Sequence, residues 1–306
     1  MKRGLSPKDF CANLRDMNFG AYRTIIGCLL VTAASAVAQP IKTLLIDGQN
    51  NHDWKSTTPV LRKILVDSGL FTVDVATSPG QGGGMIGFRP EFNKYRVIVS
   101  NYNGEPWSQA TQQAFVNYVR GGGGFVCVHA ANNSFPEWAE YNEMIGVGGW
   151  GGRNEKSGPM LRLRDGKFVP DTRPGEGGHH GAQHAFLMET RAPNHPIMRG
   201  LPEKWMHEKD ELYDSLRGPA INLTVLASAY SDPRTGGTGE HEPLLMALSC
   251  GQGRVFHTAL GHGMEALKCA GFAVTLQRGT EWAATGKVEQ KVPENFPTAE
   301  RVSALP

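Results

Sequence analysis

Strand and helix signals alternate along the first half of the chain, and few folds accept that order. Ile41–Ile46 is a short apolar run closed by Asp47-Gly48. Residues 56–68 place Val60, Leu61, Ile64 and Leu65 at helical spacing before Gly69. Phe71–Val75 alternates like a strand, and Arg96–Ser100 is a further buried run. Ser108 is placed to cap a helix over Gln109–Arg120, which the glycines at 121–124 end. Phe125–Val128 reads as the next strand, with His129 at its carboxyl end. This order predicts an α/β fold, a mainly parallel sheet with helices on both faces. In such sheets ligands bind outside the carboxyl ends of the strands. The crevice should then gather 47–54, 101–105 and 129–134.

The stretch from about Gly146 to Glu240 is rich in Gly, Pro and His, with short strand candidates at Met160–Leu163, Ala185–Glu189 and Asn222–Ala227. It reads as an insertion whose loops cover the crevice. Leu244–Leu248 and Arg254–Ala259 form a closing strand pair around the turn at 250–253, and Ala266–Gln277 is the last helix. No repeat or low-complexity linker divides the chain, so one domain is expected over 39–286, followed by an extended tail over 287–306.

Residues 1–38 read as a secretory signal peptide. Arg23 precedes an apolar stretch from Ile25 to Val31, and Ala36-Val37-Ala38 has the A-x-A form of a cleavage site. The apolar run is far shorter than the ~20 residues a membrane span needs. The expected location is therefore periplasmic or secreted, with no membrane partner after cleavage. The leader holds five basic residues and two acidic ones, which leaves 26 basic and 27 acidic residues in the body. A near-neutral body lacks the electrostatic footprint of a nucleic-acid binder. Cys127, Cys250 and Cys269 match no zinc spacing and read as buried, inert thiols.

Histidine carries the chemical signal: eight of the ten lie between His179 and His262. His129 ends a core strand, and His257 and His262 flank another strand end in HTALGHG. Asp210 and Glu211 are adjacent acids beside Tyr213, suited to acid–base work if buried. His129 and His262 are therefore the expected base and proton shuttle, with Asp210 or Glu211 as orienting or acid groups. His52, Trp54, Asn101, Asn132 and His257 are the expected substrate-binding residues, since aromatic faces stack on sugar rings and amides fix hydroxyls. A divalent metal such as zinc is weighed as an alternative at His180, His184 and His207, although Gly177, Gly178 and Gly181 argue against a helix that would align an HxxxH pair. No G-x-S-x-G motif is present, so covalent catalysis is disfavoured.

Several segments together resemble the ThuA-like (trehalose utilisation) family: IDGQNNHDWKSTTPVL, GGGGFVCVHAANNSF, NHPIMRGLP, KDELYDSL and HEPLLMALSCGQGRVFHTALGHG. The resemblance spans residue 41 to about 285 and implies a flavodoxin-like sheet of the class I glutamine amidotransferase-like kind. Where true amidotransferases carry a cysteine at the strand-to-helix turn, His129 stands here, which argues against glutamine hydrolysis. The resemblance implies a small-molecule carbohydrate as partner, and chemistry on oxidised (3-keto) glycosides by hydrolysis, elimination or isomerisation. A non-catalytic carbohydrate-binding module and a metal-dependent hydrolase are the alternatives, and self-association is left open.

Overall fold

The computed structural model describes residues 39–304; the segment read as a signal peptide lies outside the described residues. The first half folds as its pattern requires. Strand β1 is Ile41–Asp47, β2 Phe71–Thr77, β3 Val97–Ser100 and β4 Gly124–Val128. Helix α1 runs Trp54–Asp67 and α2 Gln109–Arg120. Asp53 caps α1 by accepting from the Ser56 amide, and Ser108 caps α2 by accepting from the Thr111 amide. Helix α3, Ala139–Ile145, follows β4 through a 3-10 turn.

The middle of the chain is more strand than the sequence led us to expect. Strands β5 (Met160–Arg164) and β6 (Lys167–Asp171) make a separate hairpin. The two-residue strand β7 (His179–His180) pairs with β10 (Tyr213–Asp214). Strands β8 (His184–Thr190), β9 (Lys204–Asp210) and β11 (Leu223–Tyr230) join the main sheet instead of forming loops over it. Strands β12 (His241–Cys250) and β13 (Gly253–Thr258) are the closing pair, followed by α4 (Met264–Lys268) and α5 (Ala270–Thr285).

The nine-stranded sheet has the order β2-β1-β3-β4-β13-β12-β11-β8-β9. Its first five strands are parallel and follow the flavodoxin-like order. From β13 onward each neighbour is antiparallel. Strand β13 is the seam, parallel to β4 on one side and antiparallel to β12 on the other. Helices α1, α4 and α5 share one face. Phe115 of α2 and Tyr141 of α3 meet Phe125 on the other. Because both faces are covered, the parallel strands are apolar throughout: Val97, Ile98 and Val99 are fully buried. The edge strand β9 packs back onto α4 and α5, so its end reaches the parallel strands' carboxyl side. After α5 the chain runs extended and pairs Ala304 with Cys269. Among the described residues no helix is long and apolar enough to cross a membrane. The three cysteines there are buried and unpaired.

Candidate functional site

Strand order reverses between β1 and β3, and the turns after β1, β4 and β13 open beside that switch. In the turn after β1, the Asn50 side chain accepts from the His52 amide and donates to the Asn101 carbonyl, so the loop holds its shape. That fixes His52 just ahead of the α1 cap.

His129 follows β4 with φ of 46°, a left-handed backbone that costs a β-carbon residue about 1–3 kcal/mol. Two contacts hold it there. Its Nδ1–H donates to the Ala259 carbonyl at 2.8 Å, and its ring stacks on Tyr213 with centroids 4.2 Å apart. The carbonyl accepts only, so Nδ1 carries the proton and Nε2 presents a lone pair unless the ring is charged.

His262 follows Gly261, whose φ of 111° is a glycine conformation. This turn points two successive amides at Asp210: Gly261 N–H at 2.8 Å and His262 N–H at 3.0 Å. Asp210 also accepts from the Glu211 amide and from His207 Nε2, both at 2.9 Å. Burial alone would raise the Asp210 carboxyl, but the His207 imidazole and these amides hold it below the usual range.

Glu211 leaves β9 at the centre of the site. Its Oε2 lies 2.9 Å from His262 Nδ1, 3.5 Å from His129 Nε2 and 3.8 Å from His52 Nε2. Its Oε1 lies 3.6 Å from His180 Nε2. One ligand atom from each of His52, His129, Glu211 and His262 falls within 4.8 Å of the others. Burial, with His129 and His262 alongside, pushes His52 down to about 4, so it is neutral at neutral pH. The Glu211 carboxylate pushes His262 up. Burial would raise Glu211, but the surrounding imidazoles draw it far below the carboxylate range.

Two cavities share Asn51 and His52. One, of about 350 Å³, is walled by Trp150, Tyr213, Asn103, Asn133 and His180. The other, of about 360 Å³, lies on the Ser56, Met264 and His262 side. Both fall in the size range of small-molecule sites. A separate cleft of about 510 Å³ beside Arg153 gathers no comparable groups. The Arg153 guanidinium is taken up by the Asn133, Ser134 and Gly149 carbonyls.

The structure brings together His129, His262 and Glu211 of the expected catalytic set. Asp210, the fourth, is buried behind them as a brace for the two loops. Of the expected sugar contacts, His52 is in the cluster. Trp54 lines a neighbouring cavity with Asn51 and Asn103. Asn101, Asn132 and His257 are buried with protein partners instead. Asn101 donates to the Thr57 and Thr58 hydroxyls, pinning the start of α1. Asn132 donates to His257 Nε2, whose Nδ1–H donates to the Ile145 carbonyl. The metal set expected at His180, His184 and His207 does not assemble. His184 is turned to the Ala182 carbonyl, and His207 is sealed behind Asp210. Only His180 reaches the site. The expected crevice ranges 101–105 and 129–134 include Asn103 and Asn133 without singling out either, whereas Tyr213 was not foreseen as a wall residue and His180 was foreseen only as a metal ligand.

A flavodoxin-like α/β protein with a polar, imidazole-rich pocket at its switch point is thus the class that fold and site define. The chain belongs to the ThuA (trehalose utilisation) family, whose model matches residues 42–283. The crystal structure of a ThuA-like protein from Parabacteroides merdae is 50% identical, with a TM-score of 0.86, covering 87% of this chain and 98% of that one. A ThuA-like protein from Bacteroides uniformis shares the fold at 19% identity and a TM-score of 0.55, covering 84% and 96%. No match was found among curated proteins.

Proposed function

We propose that this protein is a carbohydrate-active enzyme that cleaves oxidised (3-keto) glycosides by proton abstraction and elimination. The convergence of His52, His129, Glu211, His262 and His180 on one pocket carries the reading. A ketone at C3 acidifies the C2–H bond. His180 takes the role of base in place of the expected His129 or His262, which lie deeper in the cluster: its Nδ1–H donates to the Gly181 carbonyl, leaving Nε2 as a lone pair at the pocket rim. The C2–H bond breaks and the electron pair moves to the ketone oxygen, which the deeper cluster faces. Collapse of this enolate re-forms the ketone, makes the C1–C2 double bond and expels the C1 oxygen, which takes up the proton that His180 removed from C2. Water addition to the enone completes a net hydrolysis. Trp150 and Tyr213 supply aromatic wall for a sugar ring, and Asn103 and Asn133 supply hydroxyl partners. The two cavities on either side of His52 suit the two rings of a disaccharide. The leader-like residues 1–38 support placing this chemistry in the periplasm or at the cell exterior.

The test is incubation of the protein with 3-keto-trehalose and with trehalose, following free sugar and enone absorbance. Turnover of the ketone alone is expected, and His180→Ala should lower it by about 10²–10⁴. Binding without turnover would make the protein an accessory module and end the enzymatic reading. Full activity in His180→Ala would remove that residue as the base.

A further inference from the structure

We propose that His52, His129, Glu211 and His262 form a binding centre for one divalent first-row transition ion, with zinc the ion whose preferences the set meets. This deepens the carbohydrate reading of the same pocket and rests on it for its chemical purpose, though not for its geometry.

Hydrogen bonding alone does not account for the cluster. His129 is 3% exposed, and its Nδ1 proton is committed to the Ala259 carbonyl. Its Nε2 therefore turns a lone pair toward a carboxylate oxygen 3.5 Å away and has no hydrogen-bond partner. His262 Nδ1 is 2.9 Å from the same oxygen, yet it too makes no hydrogen bond of acceptable geometry. A buried acceptor facing an acceptor is costly unless something positive lies between them. One cation among the four ligand atoms satisfies all of them at once.

The separations fit. An ion with bonds of about 2.0–2.1 Å sets neighbouring ligand atoms about 3.0–3.4 Å apart. The spacings to Glu211 Oε2 run from 2.9 to 3.8 Å and all four ligand atoms lie within 4.8 Å of one another, so side-chain rotations that draw the imidazoles together close the shell. Three imidazoles and one carboxylate are a donor set of borderline softness, suited to zinc and its neighbours and not to calcium or magnesium.

The outer contacts are those of ligand support. The Ala259 carbonyl fixes the His129 tautomer with Nε2 free, as metal-bound imidazoles generally require. Asp210 holds both the Glu211 and the His262 backbone, fixing two ligands with one buried carboxylate.

The charge balance gives the ion a purpose. With neutral imidazoles, the four side chains carry one negative charge, which repels an enolate. A divalent ion reverses the sign and polarises the ketone oxygen as a Lewis acid. The Trp150–Tyr213 cavity adjoins the cluster and gives a substrate oxygen its approach to the ion as a fifth ligand, an expansion zinc permits during turnover.

The full chain, prepared without a polyhistidine tag, is stripped with a chelator and titrated with Zn²⁺ and with Co²⁺. One equivalent is expected, with visible ligand-field bands from the bound Co²⁺. Glu211→Gln, His129→Ala and His52→Ala should each weaken binding at least tenfold, judged against the effect of losing even an outer-shell partner. His184→Ala should bind normally. Circular dichroism confirms which variants are folded, and His52→Ala, the least buried of the three, guards against loss of the others. Failure of the folded wild-type chain to take up either ion overturns the proposal, as does unchanged affinity in folded His52→Ala. Stoichiometric binding without turnover of any keto-glycoside supports the centre and sinks the carbohydrate reading alone. Full turnover by the stripped protein sinks the centre alone.

Discussion

The two halves of the sheet divide the work unequally. The parallel half, β1 to β4 with β13, supplies three of the four converging side chains from turns at its carboxyl edge: His52, His129 and His262. The antiparallel half supplies one, Glu211, together with the carboxylate that braces it. The parallel half follows the logic of its fold class, a buried platform with functional groups on its loops. The antiparallel half brings the only negative charge of the cluster back across α4 and α5 from the far edge of the sheet. Neither half makes the site by itself. The difference teaches that the insertion completes the side-chain cluster as well as the sheet.

Asp210 is where the halves are tied, so Asp210→Asn should break the comparison most. The carboxylate is 1% exposed; its Oδ1 accepts from the Glu211 and His262 amides and its Oδ2 from the Gly261 amide and His207 Nε2. An amide cannot accept at both ends, and it leaves the buried His207 without its counter-charge. A loss of about 3–5 kcal/mol of stability is expected in denaturant unfolding, as for breaking a buried pair from one side. Zn²⁺ affinity should fall by about 10–100-fold in the protein that remains folded. An Asp210→Asn variant with wild-type unfolding midpoint and wild-type metal content would show that the two loops need no tie.

The seam between the halves is titratable, and this gives a second probe. His257 on β13 is fully buried, and burial pushes it down to about 4, while the Ile145 carbonyl offsets this only in part. Because its folded value lies below the free-imidazole value of about 6.5, the unfolded chain takes up the proton first. Stability from this residue is complete above pH 6.5 and is lost as the pH falls toward 4. His257→Gln keeps one donor for Ile145 and one acceptor for Asn132 but does not titrate. Between pH 6 and 5 the slope of unfolding free energy against pH should fall by up to about 1.4 kcal/mol per unit relative to wild type. An unchanged slope would mean that His257 is not neutral in the folded seam.

The same contrast explains what was legible in the sequence. The parallel strands are contiguous apolar runs because helices cover both faces, so each announces itself locally. Strand β9 does not. Its alternation covers only Trp205 and His207, breaks at the exposed Lys209 before the buried Asp210, and is hidden further by a histidine at an inward position. The strand candidates at Ala185–Glu189 and Asn222–Ala227 match β8 and β11, but β9 was missed, and the entry of all three into the main sheet was unforeseen. For the site, strand-end position selected His129 and His262, and the pair of adjacent acids beside Tyr213 selected Glu211. Strand-end position was not enough to separate a side chain aimed at the pocket from one aimed at the core. His257 and Asn132 sit at the same strand ends, yet they satisfy each other in the interior. That pairing, like the failed His180–His184–His207 set, depends on long-range distances that no local spacing encodes.

Helix α5 touches both halves, and two of its glycines compare them directly. A β-carbon at Gly279 would meet the Phe256 ring of the seam strand at 2.1 Å, and that ring is completely buried. At Gly271 it would meet the edge of Trp205 on β9 at 2.9 Å. Alanine gains up to about 1 kcal/mol over glycine inside a helix, so each substitution sets that gain against a clash. Gly279→Ala should destabilise by about 1–3 kcal/mol net, because the ring beneath it has nowhere to go. Gly271→Ala should fall within about 1 kcal/mol of wild type, since a shift of a few tenths of an ångström at the sheet edge relieves it. Thermal unfolding of the two single variants measures the contrast. Equal losses would show that β9 is held against α5 as rigidly as β13, and that the two halves differ in strand direction but not in packing.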